Sequence, residues 1–220
     1  MTLPPPTTET ATWTVVVPVK PAAIGKSRLA VDGVPREDLA RAMALDTILA
    51  ASLASDVSRV VVVTDDSGLA GDAVKYRGVD VIADGGAGGL NGAIARGAEA
   101  AGSGNRAALL GDLPGLRHDH LHRALRAATA VERGVVADAA GTGSTLVTAA
   151  AGAEWMSSFG DDSFARHVAG GFVPLELPDV PTLRHDVDTA ADLEAAGVHV
   201  GPNTRLVLRA ARSGATPPSV

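Results

Sequence analysis

The sequence of 220 residues contains no cysteine. Disulfide bonds, thiolate metal sites and a cysteine nucleophile are therefore excluded. Any metal must be bound by oxygen or imidazole ligands, and carboxylate ligands favour magnesium, calcium or manganese. The chain also lacks an apolar stretch near the roughly 20 residues that cross a bilayer, so we expect a cytoplasmic protein without a membrane partner.

Positive charge is scarce, because the chain carries only three lysines and a formal net charge of −6. Sequence-independent nucleic-acid binding needs a basic face, so we expect no nucleic-acid partner. Two of the three lysines, Lys20 and Lys26, lie with Arg28 in one loop, "VKPAAIGKSRL". The loop is either a local site for a small anion or a solvated basic loop.

Within this loop, Gly25, Lys26 and Ser27 match the end of a phosphate-binding P-loop. That motif needs a glycine five residues before Gly25, where this chain has Lys20. Pro21 also lacks a backbone N–H that could face a phosphate. The sequence therefore argues against a P-loop.

The chain organisation predicts one folded domain with short ends. The first twelve residues, "MTLPPPTTETAT", have no basic or apolar region typical of a signal peptide, and we expect a disordered lead at 1–12. The predicted folded domain covers 13–212, and a frayed tail is expected at 213–220.

Short valine-rich runs alternate with alanine-rich segments that have helical periodicity, beginning with a strand at Trp13–Val19. This pattern predicts a single-domain α/β fold with a doubly wound, mostly parallel, Rossmann-like sheet. Late in the chain, Thr189 and Asp192 have the spacing of a capping box at a helix start. Ligands of such sheets bind beyond the carboxyl ends of the strands.

Polar residues follow several predicted strands. Lys20, Lys26 and Arg28 follow the first strand, Asn91 follows the third, and Asp112 ends the fourth in "LLGDLP". Asp112 could contribute to a ligand site or cap the next helix.

The late segment "HDVDT" supplies Asp186 and Asp188. Residues i and i+2 of an extended segment point to one side, so both carboxylates can meet at one site. Two such charges repel unless a cation lies between them, which favours a shared magnesium ion. The alternative is that Asp188 caps the following helix. Lysine or arginine for phosphates and three aspartates for magnesium suit phosphoryl or nucleotidyl transfer.

Histidines are a weaker signal. "HDHLH" places His118, His120 and His122 close together, but a zinc site would lack a third ligand on one helix face. We interpret this stretch as an exposed helix start, and His185 as structural or facing solvent.

Six segments together carry a resemblance to a known family: "VPVKPAAIGKSRLA", "LNGAI", "LLGDLP", "VVADAAGTGSTL", "FGDDSFARH" and "LRHDVDTAADL". With them the chain resembles the guanylyltransferases of coenzyme F420 biosynthesis from about Val15 to Arg212. That family comprises archaeal 2-phospho-L-lactate and actinobacterial phosphoenolpyruvate guanylyltransferases, which have a nucleotidyltransferase fold.

The resemblance implies a role for each candidate residue. Two magnesium ions would be held by Asp112, Asp186 and Asp188, with Lys26 and Asp112 as catalytic residues. The GTP phosphates would be bound by Lys20, Lys26 and Arg28, and Asn91 of "LNGAI" would lie near the nucleoside. The acceptor would be bound by Gly160, Ser163 and the turn around Ser144 and Thr145. That turn is "GTGST" where "GTGT" is expected, which leaves the choice between Ser144 and Thr145 open.

The expected activity is transfer of GMP from GTP to phosphoenolpyruvate. The alternative acceptor is 2-phospho-L-lactate, but a composition rich in alanine, arginine and aspartate is typical of high-GC actinobacteria and favours phosphoenolpyruvate. A sugar-phosphate or molybdopterin nucleotidyltransferase and a non-catalytic nucleotide-binding protein are further alternatives. The sequence leaves the oligomeric state open, with a homodimer as one expectation.

Overall fold

The computed structural model describes residues 12–20, 29–86, 88–177 and 179–213. Lys26, Arg28, nearly all of the predicted lead at 1–12 and nearly all of the predicted tail at 213–220 lie outside these ranges. The predictions made for them stay predictions, as do the domain boundaries. Within the described part of the chain, no helix is both long enough and apolar enough to cross a bilayer.

Seven strands form one sheet. They are β1 (Trp13–Pro18), β2 (Val57–Val63), β3 (Val79–Ile82), β4 (Asn105–Leu109), β5 (Arg133–Ala137), β6 (Ser144–Ala149) and β7 (Val173–Pro174). Their spatial order is β3-β2-β1-β4-β6-β5-β7. Strand β6 runs antiparallel to β4 and β5, whereas the other pairings among these strands are parallel. The predicted mostly parallel α/β sheet is confirmed.

Helices cover both faces of the sheet. They are α1 (Arg36–Leu53), α2 (Ser67–Ala73), α3 (Leu90–Ala101), α4 (His118–Ala128), α5 (Ser163–Ala169), α6 (Pro181–Arg184), α7 (Ala190–Ala196) and α8 (Pro202–Ser213). The apolar faces of α1 and α4 pack on one side of the central strands, and α3 packs on the other side. The predicted capping box is confirmed, since Thr189 and Asp192 exchange both of its hydrogen bonds at the start of α7.

Strand β1 lies at the centre of the sheet and is buried on both faces. Val15 and Val17 belong to the core formed with α1, while Val16 contacts the α3 side. Helix α3 approaches closely because its Gly97 has no side chain, and a Cβ there would overlap Val16. The almost continuous apolar sequence of β1 is the pattern expected of such a strand.

Helix α8 is an element that the sequence did not predict. Its N-terminus is held by Asp46 of α1, whose carboxylate accepts hydrogen bonds from the backbone N–H groups of Asn203 and Thr204, both at 2.9 Å. The Asn203 side chain donates a third bond at 2.8 Å. Because this capping residue lies 157 positions away along the chain, a search for local capping motifs could not find it.

Removal of the Asp46 carboxylate should destabilise the fold. In Asp46→Ala, the buried N–H groups at the start of α8 lose their acceptor, so we expect the free energy of unfolding to fall by about 2 kcal/mol. Urea denaturation of both proteins measures the loss. Glu99→Ala, at an exposed acidic position of α3, is the control. A loss no larger for Asp46→Ala than for Glu99→Ala would contradict the capping role.

Candidate active site

A cavity of about 450 Å³ opens at the carboxyl ends of β1, β4 and β5. Its wall includes Lys20 after β1, Asp112 after β4 and Asp138 after β5. The segment Phe159–Ser163 before α5 closes another side. The position agrees with the rule for α/β sheets, and the volume suits a small-molecule ligand.

Three aspartates meet in this cavity. Asp112, Asp186 and Asp188 each offer a carboxylate oxygen, and these oxygens lie within 4.8 Å of one another. The sequence predicted that Asp186 and Asp188 would point to one side. Between them, Val187 is only 1% exposed and its side chain packs in the core, which turns its two neighbours toward the cavity.

The backbone joins the two segments that carry these aspartates. Val187 N–H donates to the Asp112 carbonyl at 3.0 Å. Strand β4 ends at Leu109, three residues earlier than predicted, and the chain then passes against the end of β1 at Gly111. A Cβ on Gly111 would lie 3.1 Å from the Pro18 carbonyl, so glycine permits the close approach that places Asp112 in the wall.

Neither Asp112 nor Asp188 caps a helix, although the sequence allowed this alternative for both. Helix α4 begins at His118 and its N-cap position is Arg117, five residues beyond Asp112. Thr189, and not Asp188, is the N-cap of α7. Both Asp112 and Asp188 instead line the cavity.

Electrostatics in the cluster favour a cation. The pKa of Asp186 is raised to about 6, first by burial and then by the nearby charge of Asp112, with smaller contributions from Asp188 and Asp138. Carboxylates that repel each other in this way gain stability from a divalent ion between them. An all-oxygen donor set suits hard cations such as Mg²⁺, so these residues fit a divalent metal site.

Hydroxyl and glycine residues also line the cavity. Ser144, Gly160 and Ser163 line the cavity. Thr145 is fully buried, and successive strand residues face opposite sides of the sheet, so its side chain is not part of the wall. Of the two residues that the sequence left open, the structure therefore places Ser144 at the cavity.

The loop before α5 has an unusual backbone. Gly160 has φ 120°, and Asp162 has φ 51°, in the left-handed region that residues other than glycine seldom adopt. A Cβ on Gly160 would lie 3.2 Å from the Arg166 guanidinium. These constraints bring the Gly160 backbone to the cavity surface, where it can approach a ligand.

Asn91 supports this loop. Its side-chain amide donates to the Phe159 carbonyl at 2.9 Å and accepts from the Phe159 N–H at 2.8 Å. Both ends of the amide thus join the start of α3 to the residue before Gly160. Direct nucleoside contact by Asn91 stays a prediction, and the structure adds a supporting role for its side chain.

Several cavity residues were missed in the sequence. The Asp138 carboxylate accepts from the N–H groups of Thr142 at 3.0 Å and Gly143 at 2.8 Å, which fixes the β5–β6 turn. Asp138 directly follows β5, so the reasoning that selected Asp112 could also have found it. Arg41 of α1 lies in the wall 3.4 Å from Asp66, and a charged residue on a helix gives no comparable signal.

The histidine stretch is less exposed than predicted. His118 is exposed, but His120 is only 8% exposed and its Nδ1 lies 2.7 Å from the Thr182 hydroxyl, so the interpretation as an exposed helix start is wrong for His120. His122 lies 3.2 Å from Asp56. His185 is exposed, as expected. Among the described residues, the aspartate cluster is the one group of three or more that could hold a metal ion.

Comparison with solved structures identifies the fold. A nucleotidyl transferase from Methanothermobacter matches with a TM-score of 0.58 and 18% identity, over 90% of this chain and 98% of that one. The 4-diphosphocytidyl-2C-methyl-D-erythritol synthase of Anaerococcus prevotii matches with a TM-score of 0.56 and 14% identity, over 86% and 96%. At these identities the likeness shows the fold alone, which is that of nucleotidyltransferases.

Sequence comparison identifies the family. The family model described as "Guanylyl transferase CofC like" matches residues 13–209. A phosphoenolpyruvate guanylyltransferase of Streptomyces coelicolor is 48% identical over 89% of this chain and 95% of its own length. One of Salinispora arenicola is 45% identical over 90% and 94%. The chain therefore belongs to the CofC-like guanylyl transferase family, and the predicted family membership is confirmed.

Proposed function

We propose that the protein transfers GMP from GTP to phosphoenolpyruvate, giving enolpyruvyl-2-diphospho-5'-guanosine and pyrophosphate in coenzyme F420 biosynthesis. The observation that carries the proposal is a carboxylate cluster that shares one cavity with hydroxyl and glycine residues. The family and the names of its relatives support this choice of donor and acceptor.

The three aspartates fit Mg²⁺, and we propose that they hold two ions. Bound there, Mg²⁺ would shield phosphate charge and stabilise the charge that develops on the leaving pyrophosphate. Lys20, together with Lys26 and Arg28, would neutralise the GTP phosphates. Lys20 reaches the cavity wall, and its Nζ lies 3.9 Å from the position of a Cβ on Gly89, near the start of α3.

The remaining wall residues would position the acceptor. We propose that Ser144, Gly160 and Ser163 hold its anionic groups so that a phosphate oxygen attacks the α-phosphorus of GTP in line. The new P–O bond replaces the bond from the α-phosphorus to the oxygen that bridges to the β-phosphate, and pyrophosphate leaves. The attacking phosphate is already ionised, so the step needs no general base and no covalent enzyme intermediate.

The acceptor 2-phospho-L-lactate is the closest alternative, since it differs from phosphoenolpyruvate at one carbon. The names of the curated relatives favour phosphoenolpyruvate. A homodimer and the absence of a nucleic-acid partner stay predictions.

Pyrophosphate release tests the proposal. Purified protein with GTP and Mg²⁺ should release pyrophosphate on addition of phosphoenolpyruvate, and mass spectrometry should identify the enolpyruvyl product. Release with 2-phospho-L-lactate alone would change the acceptor, and preference for ATP would change the donor. No release with either acceptor would leave only the fold and the family.

A further inference from the structure

The Ser144 hydroxyl has a buried histidine partner that the proposed mechanism does not use. Ser144 Oγ lies 2.9 Å from His167 Nδ1, and both residues are nearly inaccessible to solvent, 2% and 1% exposed. Ser144 nevertheless borders the cavity, so it forms part of the cavity wall. His167 belongs to helix α5 and is not among the residues that line the cavity.

The other ring nitrogen fixes the tautomer of His167. The backbone N–H of Ser158 donates to His167 Nε2 at 2.9 Å. A backbone amide can only donate, so Nε2 must be the unprotonated acceptor and a neutral ring carries its proton on Nδ1. Burial also lowers the pKa of His167 to about 4, which keeps the ring neutral at pH 7.

The Nδ1–H group therefore donates to Ser144 Oγ. A hydroxyl has one proton and two acceptor lone pairs, so accepting this bond leaves the Ser144 proton available for another partner. Because Ser144 borders the cavity, that partner can be a ligand bound there. With the opposite tautomer, Ser144 would donate to His167 and present only lone pairs to an anion.

Two aromatic rings hold the imidazole in place. Phe159 and Phe172 each contact His167 edge-on, with ring centroids 5.1 Å away. Phe159 is itself bonded to Asn91 and precedes Gly160 in the cavity wall. Rotation of the imidazole would break both of its hydrogen bonds and these contacts, so the arrangement has one orientation.

We infer that His167 is a positioning residue, which holds Ser144 as a hydrogen-bond donor to an anionic oxygen of the acceptor substrate. This inference rests on the proposed function for the identity of the acceptor. The imidazole does not touch the substrate, and its effect is exerted through the orientation of one hydroxyl proton.

Two substitutions of His167 separate this role from a structural one. In His167→Gln the side-chain amide reaches the Nε2 position and can still accept from Ser158 N–H, but no donor faces Ser144. In His167→Asn the amide lies near the Nδ1 position and can donate to Ser144, but the Ser158 N–H loses its acceptor. If His167 had only a structural role, keeping the bond to Ser144 would matter no more for acceptor binding than keeping the bond to Ser158.

Steady-state pyrophosphate release with GTP and phosphoenolpyruvate is the kinetic readout. We expect His167→Gln to raise KM for phosphoenolpyruvate about tenfold with KM for GTP unchanged, as for the loss of one oriented hydrogen bond to a charged group. His167→Asn should stay within about threefold of the wild type. Ser144→Ala should match His167→Gln, and the double variant should lose no more than either single one. His118→Gln, at an exposed histidine, is the control.

Three results would overturn the inference. KM for phosphoenolpyruvate could be the same in His167→Gln as in the wild type, or KM for phosphoenolpyruvate and KM for GTP could rise equally. The losses of the two single variants could also add in the double variant. A measurement without substrate keeps the test independent of activity, and its wild-type part needs no variant to fold. In the free wild-type protein, long-range ¹H–¹⁵N NMR should show a protonated Nδ1 and a bare Nε2 on His167, with a changed Nδ1–H signal in Ser144→Ala. The reverse tautomer would overturn the inference, whereas wild-type inactivity with every acceptor would overturn the proposed function alone.

Discussion

Asp188→Asn should lower turnover by at least about a hundredfold while leaving the fold intact. The substitution keeps the shape of the side chain but removes one charge from a cluster whose oxygens lie within 4.8 Å of one another. Stabilisation of developing phosphate charge is commonly worth two or more orders of magnitude in rate, because it acts in a site where water is excluded. Pyrophosphate release at saturating GTP and acceptor measures the loss.

Thermal melting distinguishes a metal-site effect from misfolding. Without metal, Asp188→Asn should melt at or above the temperature of the wild type, since one of three mutually repelling carboxylates has been neutralised. Mg²⁺ should raise the melting temperature of the wild type and have a smaller effect on the variant. Asp80→Asn, at an exposed position of β3 paired with Arg59, is the matched control. Turnover of Asp188→Asn equal to that of the wild type would remove Asp188 from the metal site.

Part of the cavity could be predicted from the residues that follow the strands, because parallel strands bring their carboxyl ends to one edge of the sheet. Asp112 was found on this basis, whereas Asp186 and Asp188 follow helix α6 and were found as an i, i+2 acidic pair. Their grouping depends on two local features, the extended backbone around Val187 and the strand end before Asp112. Both leave clear traces in sequence, as an i, i+2 acidic pair and as a glycine and proline around one aspartate.

Contacts between distant segments are what sequence reasoning could not supply. His167 lies 23 residues from Ser144, and Asn91 lies 68 residues from Phe159, so neither pairing follows from a local pattern. The same holds for Asp46 and helix α8. A residue that hydrogen-bonds to a residue of the cavity wall has no distinguishing feature in the sequence. It can be recognised only when the fold shows its partners. The carboxylates that line the cavity were therefore predictable, and the residues that hydrogen-bond to its wall from other segments were not.

His167 should also make stability depend on pH. Its pKa is about 4 in the fold and 6.5 as a free side chain, mainly because burial disfavours the charged ring. Between these values the unfolded chain binds a proton that the folded protein does not. The contribution of His167 is thus complete above about pH 6.5 and is lost as the pH falls toward 4, by about 3 kcal/mol in total.

The contribution of Asp186 to the free energy of unfolding changes with pH in the opposite direction. In the metal-free protein it would mask the loss that comes from His167. The pKa of Asp186 is raised to about 6, so the folded state binds the proton first, and stability from this group rises as the pH falls. The informative quantity is therefore the difference in free energy of unfolding between wild type and His167→Gln, which both contain Asp186. We expect wild type to lose about 3 kcal/mol relative to the variant between pH 7.5 and pH 4.

Urea denaturation at half-unit intervals of pH measures this difference, and His118→Gln should show a constant difference from wild type over the same range. A relative loss centred between pH 4 and 6.5 would establish that His167 is neutral in the fold. That is the protonation state that allows Nε2 to accept from Ser158 while Nδ1 donates to Ser144. If the difference between wild type and His167→Gln does not change with pH, the ring keeps a similar affinity for protons in both states. In that case the imidazole is not held neutral by its burial, and the orientation of Ser144 would need another cause.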